Sequence, residues 1–239
     1  MAKFKIAIAI ILVVIYSGII LSFSILLKKN LLFFVNKNES VNFQINYQFC
    51  LSIVALLSLA TTYFLNEENF SNYFSVGDIS APAQAFKPFG INKDDSWLRT
   101  GLSLSIFISL ATAIFMFFQL KNAKVEWSLL QNGILWILLF SLTNSFAEEI
   151  IYRLGVLSPL QGLLSPIAIF TISAILFGLP HLAGMPGGMI GAIMAGILGL
   201  VLAKSVYETN GLFWAWTIHF LQDVIIFSTL YLLFVKPAN

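Results

Sequence analysis

Charge is what this sequence lacks. Of its 239 residues only 10% are Asp, Glu, Lys or Arg, while 59% are hydrophobic. A typical soluble domain is about 25% charged, so soluble enzymes, disordered tails and coiled coils are excluded together. A net charge of +2 is too small for a nucleic-acid binder, and no nucleic acid is expected as a partner. Cysteine is nearly missing: Cys50 stands alone, so no internal disulfide can form, and its apolar setting suits a buried thiol. Two motifs of hydrolytic chemistry are missing as well, the G-x-S-x-G elbow and the H-E-x-x-H zinc helix. No internal repeat or low-complexity tract occurs.

What is present is a series of long apolar runs. A membrane helix needs roughly 20 such residues at 1.5 Å each. The runs fall at 6–27, 47–65, 102–120, 129–157, 166–179, 189–203 and 211–235. The first is flanked by Lys3, Lys5, Lys28 and Lys29 and exceeds the about 7–15 residues of a signal-peptide core, so a retained anchor is expected. The fourth is expected to end near Leu157, with Pro159 just beyond. The fold class is therefore all-α, a polytopic transmembrane helical bundle of about seven spans enclosing a polar cavity. An eighth is added if the long connection 66–100 hides an interfacial helix. That connection carries Phe70, Tyr73, Phe74, Phe86, Phe89 and Trp97, an aromatic density that suits a headgroup belt. It also divides an N-terminal anchor region, 1–100, from a membrane core, 101–239. Lys and Arg divide seven against six between the two sides, Lys236 among the six, so the positive-inside rule leaves orientation open.

A few ionisable residues fall inside the runs: Glu148, Glu149 and Arg153 in the fourth, Asp223 in the seventh. Both histidines, His181 and His219, lie in or against apolar runs. A charge at mid-bilayer costs at least about 2.5–3.5 kcal/mol, so these groups are expected to meet in one shared cavity. Glu149 and Arg153 are i,i+4 and share a helix face, which makes an ion pair the simplest reading. Glu148 lies about 100° round the helix, on the face of Tyr152, its carboxylate free for other work. His219 and Asp223 are again i,i+4. Phe177 and His181 have the same spacing, but Gly178 and Pro180, followed by Gly184, Pro186, Gly187 and Gly188, argue against a regular helix there. Broken backbone at membrane depth is tolerated where protein or water covers it, so His181 is expected to face the cavity. Each pair alone also reads as a structural pair, and Phe177 alone as core packing. The argument for chemistry is their convergence.

The order E-E-x-x-x-R, F-x-x-x-H, H-x-x-x-D resembles the CAAX protease and bacteriocin-processing (CPBP or Abi) family, whose best-known members are the type II CAAX prenyl endopeptidases. The resemblance spans roughly 129–231. It implies an intramembrane peptidase of the glutamate type. Glu148 matches the glutamate that activates water, with His181 as its partner. Glu149 and Arg153 match the supporting part of the first motif, and His219 with Asp223 matches the pair that holds the oxyanion. The last position is Asn in the endopeptidases, and an ionised Asp would repel an oxyanion. Asp223 is therefore expected to be protonated or to act by orienting His219.

The resemblance favours a metal-free mechanism with no cofactor, although Glu148, His181, His219 and Asp223 are also plausible ligands for a divalent metal such as zinc. Peptide hydrolysis needs a base for water and donors for the tetrahedral oxygen, and these residue types supply both. The expected partners are the lipid bilayer and a membrane-associated peptide or protein substrate. The expected location is integral and multi-pass, in a bacterial cell membrane, where prenylated substrates are not expected. Two rival readings stay open: a proton-coupled transporter, since buried carboxylates also serve as relays, and a non-catalytic immunity or partner-binding protein.

Overall fold

The computed structural model describes residues 2–184 and 187–235. Pro186 among the expected breakers and Lys236 in the charge count lie outside the described residues. The long regular elements of the described residues are helices: α1 Ala2–Leu27, α2 Glu39–Leu65, α3 Glu67–Tyr73, α4 Trp97–Leu120, α5 Ser128–Glu149, α6 Gly155–Leu160, α7 Pro166–Gly178, α8 Gly188–Thr209 and α9 Phe213–Phe234. Seven helical segments are long and apolar enough to cross a membrane, with α5 and α6 forming one of them, Ser128–Leu160. The protein is an integral, multi-pass helical bundle. Its outward faces carry exposed Phe107, Leu135, Ile106 and Leu56, the inverse of a soluble surface and suited to lipid.

Several ends differ from the sequence reading, each for a local reason. Helix α2 starts at Glu39, eight residues before the expected 47. Asn38 caps it, its side chain accepting from Ser40 N and Val41 N. The polar residues of this extension also hold the preceding loop, because Asn42 Oδ1 accepts from Val35 N and Asn36 N. Asn46 Oδ1 does the same for Leu32 N and Phe33 N. The fourth span runs past the expected Leu157 to Leu160 with Pro159 inside it, and Gln161 N closes it on Leu157 O. Between α5 and α6 the helix widens into a π turn, Ile150–Leu154. A π turn inserts an extra residue and re-aims the side chains around it. It begins immediately after Glu149 and contains Arg153.

The connection 66–100 holds one short helix, α3, and a 3-10 turn, Lys87–Phe89. Among the described residues it adds no eighth span. Nor is it mainly an aromatic belt. Of the six aromatics only Phe74 is exposed; Tyr73 and Trp97 are fully buried, and Phe70, Phe86 and Phe89 pack on the core. The connection is clamped to the α8–α9 turn. Leu212 N donates to Ser75 O and Asp78 N to Thr209 O, each at 2.8 Å. Trp214 Nε1 donates to Ile79 O at 2.9 Å. Gly77, at φ +76°, lies directly on Thr209 O and the backbone of Gly211. Both the left-handed conformation and the absence of room for a Cβ require glycine there.

One hydrophobic core runs through the bundle, joining Ala9 and Val13 of α1 and Leu51 and Val54 of α2 to Ile151, Leu157, Leu202 and Ile218. Residue 100 therefore marks no gap in packing.

Candidate active site

The three motifs converge. The carboxylates of Glu148 and Asp223, both imidazoles, Tyr152 and Phe177 line one cavity of about 200 Å³. It lies between α5, α7, α8 and α9, with Ile20, Ser24 and Tyr47 added from α1 and α2. A larger recess of about 570 Å³ opens at the α1–α2 turn but contains none of the motif residues.

Glu149 is the hub of the buried charges. Its side chain is wholly inaccessible, with Oε1 2.7 Å from His219 Nδ1 and Oε2 3.0 Å from Arg153 Nε. The expected Glu149–Arg153 pair is present, but Glu149 also takes the imidazole from α9. The Arg153 contact lacks hydrogen-bond alignment, and none of the three guanidinium nitrogens has a hydrogen-bond partner. Arg153 instead stacks on Phe177, 4.0 Å from the ring centroid, a cation–π contact strengthened by desolvation. The Phe177 ring also touches Tyr152, His181 and His219, with centroids 5.3, 4.7 and 5.5 Å away. It is core packing, and at the same time the surface on which the site is assembled.

His181 lies on the 3-10 turn Leu179–Ala183, where Gly178 and Pro180 end the regular helix. Its Nδ1 is 2.8 Å from Phe177 O. A carbonyl only accepts, so Nδ1 carries the proton and Nε2 is left as the free nitrogen. Glu148 differs from its neighbour. Its Oε2 is buried without a hydrogen-bond partner and lies 3.6 Å from His219 Nε2, beyond bonding distance.

Asp223 was expected to be protonated or to act by orienting His219. His219 Nδ1 is held by Glu149, whereas Asp223 Oδ1 lies 3.8 Å from Nε2. Asp223 Oδ2 accepts from Asn144 Nδ2 at 3.1 Å. Both ring nitrogens face α5, Nδ1 towards Glu149 and Nε2 towards Glu148, with Asp223 of α9 itself also near Nε2. Sequence reasoning missed Asn144, although it precedes Glu148 by four residues and so shares its helix face. It also missed Gln48, whose Nε2 donates to Asn144 Oδ1 at 3.3 Å, and Ser17, whose hydroxyl lies 3.0 Å from that of Tyr152. A polar side chain inside an apolar run was the available signal for both.

Among the described residues no three His, Cys, Asp or Glu side chains converge as a metal-binding group. The Nδ1 atoms of both histidines are held, one by a carbonyl and one by Glu149, which leaves both Nε2 atoms free.

Fold and site together define a class: a multi-pass membrane protein with a carboxylate–imidazole cavity buried among its helices. Residues 129–225 match the family model of the Rce1-like type II CAAX prenyl endopeptidases. All three motifs lie within the match. No curated protein and no solved structure matches the chain.

Proposed function

We propose that the protein is a glutamate-type intramembrane endopeptidase acting on a membrane-associated peptide or protein, without a metal, with Glu148, His181, His219 and Asp223 as its working residues. The observation that carries this reading is the Glu148 carboxylate, buried at a cavity wall with one oxygen unpartnered. An unsatisfied buried carboxylate oxygen is costly, and a cavity water is the natural group to satisfy it.

Glu148 takes a proton from that water while the water oxygen attacks the scissile carbonyl carbon. His181 Nε2, as a neutral acceptor, holds the same water. The tetrahedral oxygen faces His219, which donates from Nε2. Donation from both ring nitrogens requires the imidazolium, and the three surrounding carboxylates supply the field for it. As the C–N bond breaks, the proton on Glu148 passes to the leaving amine. Glu149 and Arg153 support His219 and Phe177 rather than touching substrate. The membrane core 101–239 carries this chemistry, while 1–100 walls and braces it. Short loops suit a bacterial cell membrane and a substrate presented from the bilayer.

The test is purified protein in liposomes with internally quenched apolar peptides, a farnesylated CAAX peptide among them. Cleavage by the native protein that disappears in Glu148→Ala supports the reading. Proton flux without cleavage, unaffected by Glu148→Ala, overturns it in favour of a transporter.

A further inference from the structure

The two ends of the bundle differ in charge, and the difference lies in the acids. Successive spans alternate in direction. At one end the connection 66–100 is bonded to the α8–α9 turn. The α1–α2 turn, the α4–α5 turn and the last turn of α9 lie at the other. At the first end, segments 2–5, 66–100 and 204–212 hold six basic and six acidic residues, which cancel. At the second end, among the described residues, Lys28, Lys29, Lys37, Lys121 and Lys124 stand against only Glu39 and Glu126. Basic residues alone divide almost evenly between the ends, so a count of cations misses this polarity.

The catalytic cavity lies in the basic half. Its wall takes Ser24 and Met116 from near the C-terminal ends of α1 and α4, and Ala183 from the turn after α7. The recess of about 570 Å³ adjoins it, and Phe227 lines both. Phe227 stands one helical turn beyond Asp223 and packs on Phe140 of α5, ring centroids 6.0 Å apart. The recess walls are apolar, with Leu31, Phe34, Leu230 and Phe234, and its volume is that of a ligand site, about 300–1,000 Å³. The charged residues of its lining are Lys28, Lys29 and Glu39, a net positive set. Both lysines are exposed, and among the described residues neither is in an ion pair.

Helix geometry sets the register. From Asp223 to Phe234, at the level of the lysines, α9 rises about 16 Å at 1.5 Å per residue. An extended peptide covers that length in about five residues at roughly 3.3 Å each. A chain cleaved beside Glu148 therefore passes Phe227 about two residues away and reaches Lys28 and Lys29 at about the fifth. We propose that the recess is the outer subsite of the peptidase, and that its substrate is an apolar segment with acidic residues about five positions from the scissile bond, held by Lys28 and Lys29. The proposal deepens the hydrolytic reading and rests on it. A basic end focuses an anionic chain onto the cavity, and the apolar walls take the residues between. A lipid chain also fits apolar walls, but a recess that shares Phe227 with the catalytic cavity favours one continuous occupant of both.

Three peptides with one apolar core and Glu-Glu, Gln-Gln or Lys-Lys flanks on both sides test this in phosphatidylcholine nanodiscs. The native protein should favour Glu-Glu over Lys-Lys by about ten- to a hundredfold in kcat/KM, carried by KM. The preference should shrink at about 1 M salt, where the Debye length is about 3 Å. It should vanish in Lys28→Gln/Lys29→Gln and invert in Lys28→Glu/Lys29→Glu. Each ratio is taken within one variant, so a change in folded fraction cancels. Equal cleavage of the three peptides by the native protein overturns the proposal and leaves the hydrolytic reading standing. So does a preference that survives unchanged in the lysine variants. If phosphatidylglycerol nanodiscs instead raise cleavage of all three peptides alike, and the lysine variants lose that rise, the lysines hold lipid and the proposal fails. If the native protein cleaves no peptide, the hydrolytic reading fails. Fluorescence anisotropy of the labelled peptides with Glu148→Gln protein then decides the recess alone, and equal affinity for the three flanks overturns it.

Discussion

Among the described residues two i,i+4 pairs of glutamate with lysine or arginine are buried, and they differ in one respect. At the α8 end, Lys204 binds Glu208 Oε1, while Glu208 Oε2 accepts from Trp97 Nε1 at 2.9 Å and Gln84 N at 3.1 Å. Every charged atom of that cluster has a partner, and no motif cavity adjoins it. Around Glu149 and Arg153 the accounting does not close. Glu148 Oε2, Glu149 Oε2 and all three guanidinium nitrogens are buried without hydrogen bonds, and a cavity lies alongside. Saturation is what a structural pair needs, since an unpaired buried charge is expensive. Incompleteness beside a cavity leaves room for a water and a substrate. The same sequence spacing thus serves two ends: Lys204–Glu208 pins the connection 66–100 to α8, and in the proposed mechanism Glu149–Arg153 supports chemistry.

The largest effect expected from this contrast is at Glu148. Glu148→Gln should lower peptide hydrolysis by about a hundred- to ten-thousandfold, the range of a lost general base. Its elution from size-exclusion chromatography in detergent should stay native, because the substitution removes a charge from the membrane. Full activity in this variant breaks the comparison at its centre.

The two pairs should then separate by what each loses. Lys204→Met strands Glu208 and should cost about 3–5 kcal/mol of stability, read by unfolding in detergent. The Lys204→Met/Glu208→Gln double variant should recover part of that loss, and turnover per folded molecule should be native in both. Arg153→Gln should cost stability on the same scale but also turnover, because Glu149 then answers to His219 alone. If Lys204→Met instead abolishes turnover in the folded fraction, the assignment of roles is reversed.

Asp223→Asn sharpens the comparison with a smaller effect. Asparagine keeps the shape and can accept from Asn144 through its own amide oxygen. Activity should stay within about tenfold of native, the worth of one charge-assisted contact. Complete loss of activity, with elemental analysis finding stoichiometric zinc and zinc addition restoring turnover, would sink the metal-free mechanism. Least of all, Ser17→Ala removes one hydroxyl contact to Tyr152 and should cost about 0.5–1.5 kcal/mol of stability. A change in KM without a change in stability would show that α1 reaches the substrate.

Much of the site was legible because its pairs are local. Glu149 and Arg153, Phe177 and His181, and His219 and Asp223 are each four residues apart, and helical geometry places such pairs on one face whatever the fold around them. The Glu149–His219 bond joins residues 70 positions apart, and no spacing rule reaches that far. Asn144 had a readable spacing to Glu148 but no charge to draw notice. The π turn was hidden for a different reason: nothing in the residue types at 150–154 separates a π turn from an α-helix, and the turn packs against α2 and α7.

The sequence by itself determined the helices and the need for a polar interior. Backbone groups in a bilayer can be satisfied only within the helix, so long apolar runs leave the chain no other local structure. The ionisable residues in those runs must then face one another. Which carboxylate meets which base was decided only in the tertiary structure. Rotation of a helix about its axis is set by side-chain packing against its neighbours, and it is this rotation that gave His219 to Glu149, Asp223 to Asn144, and left Glu148 open to the cavity.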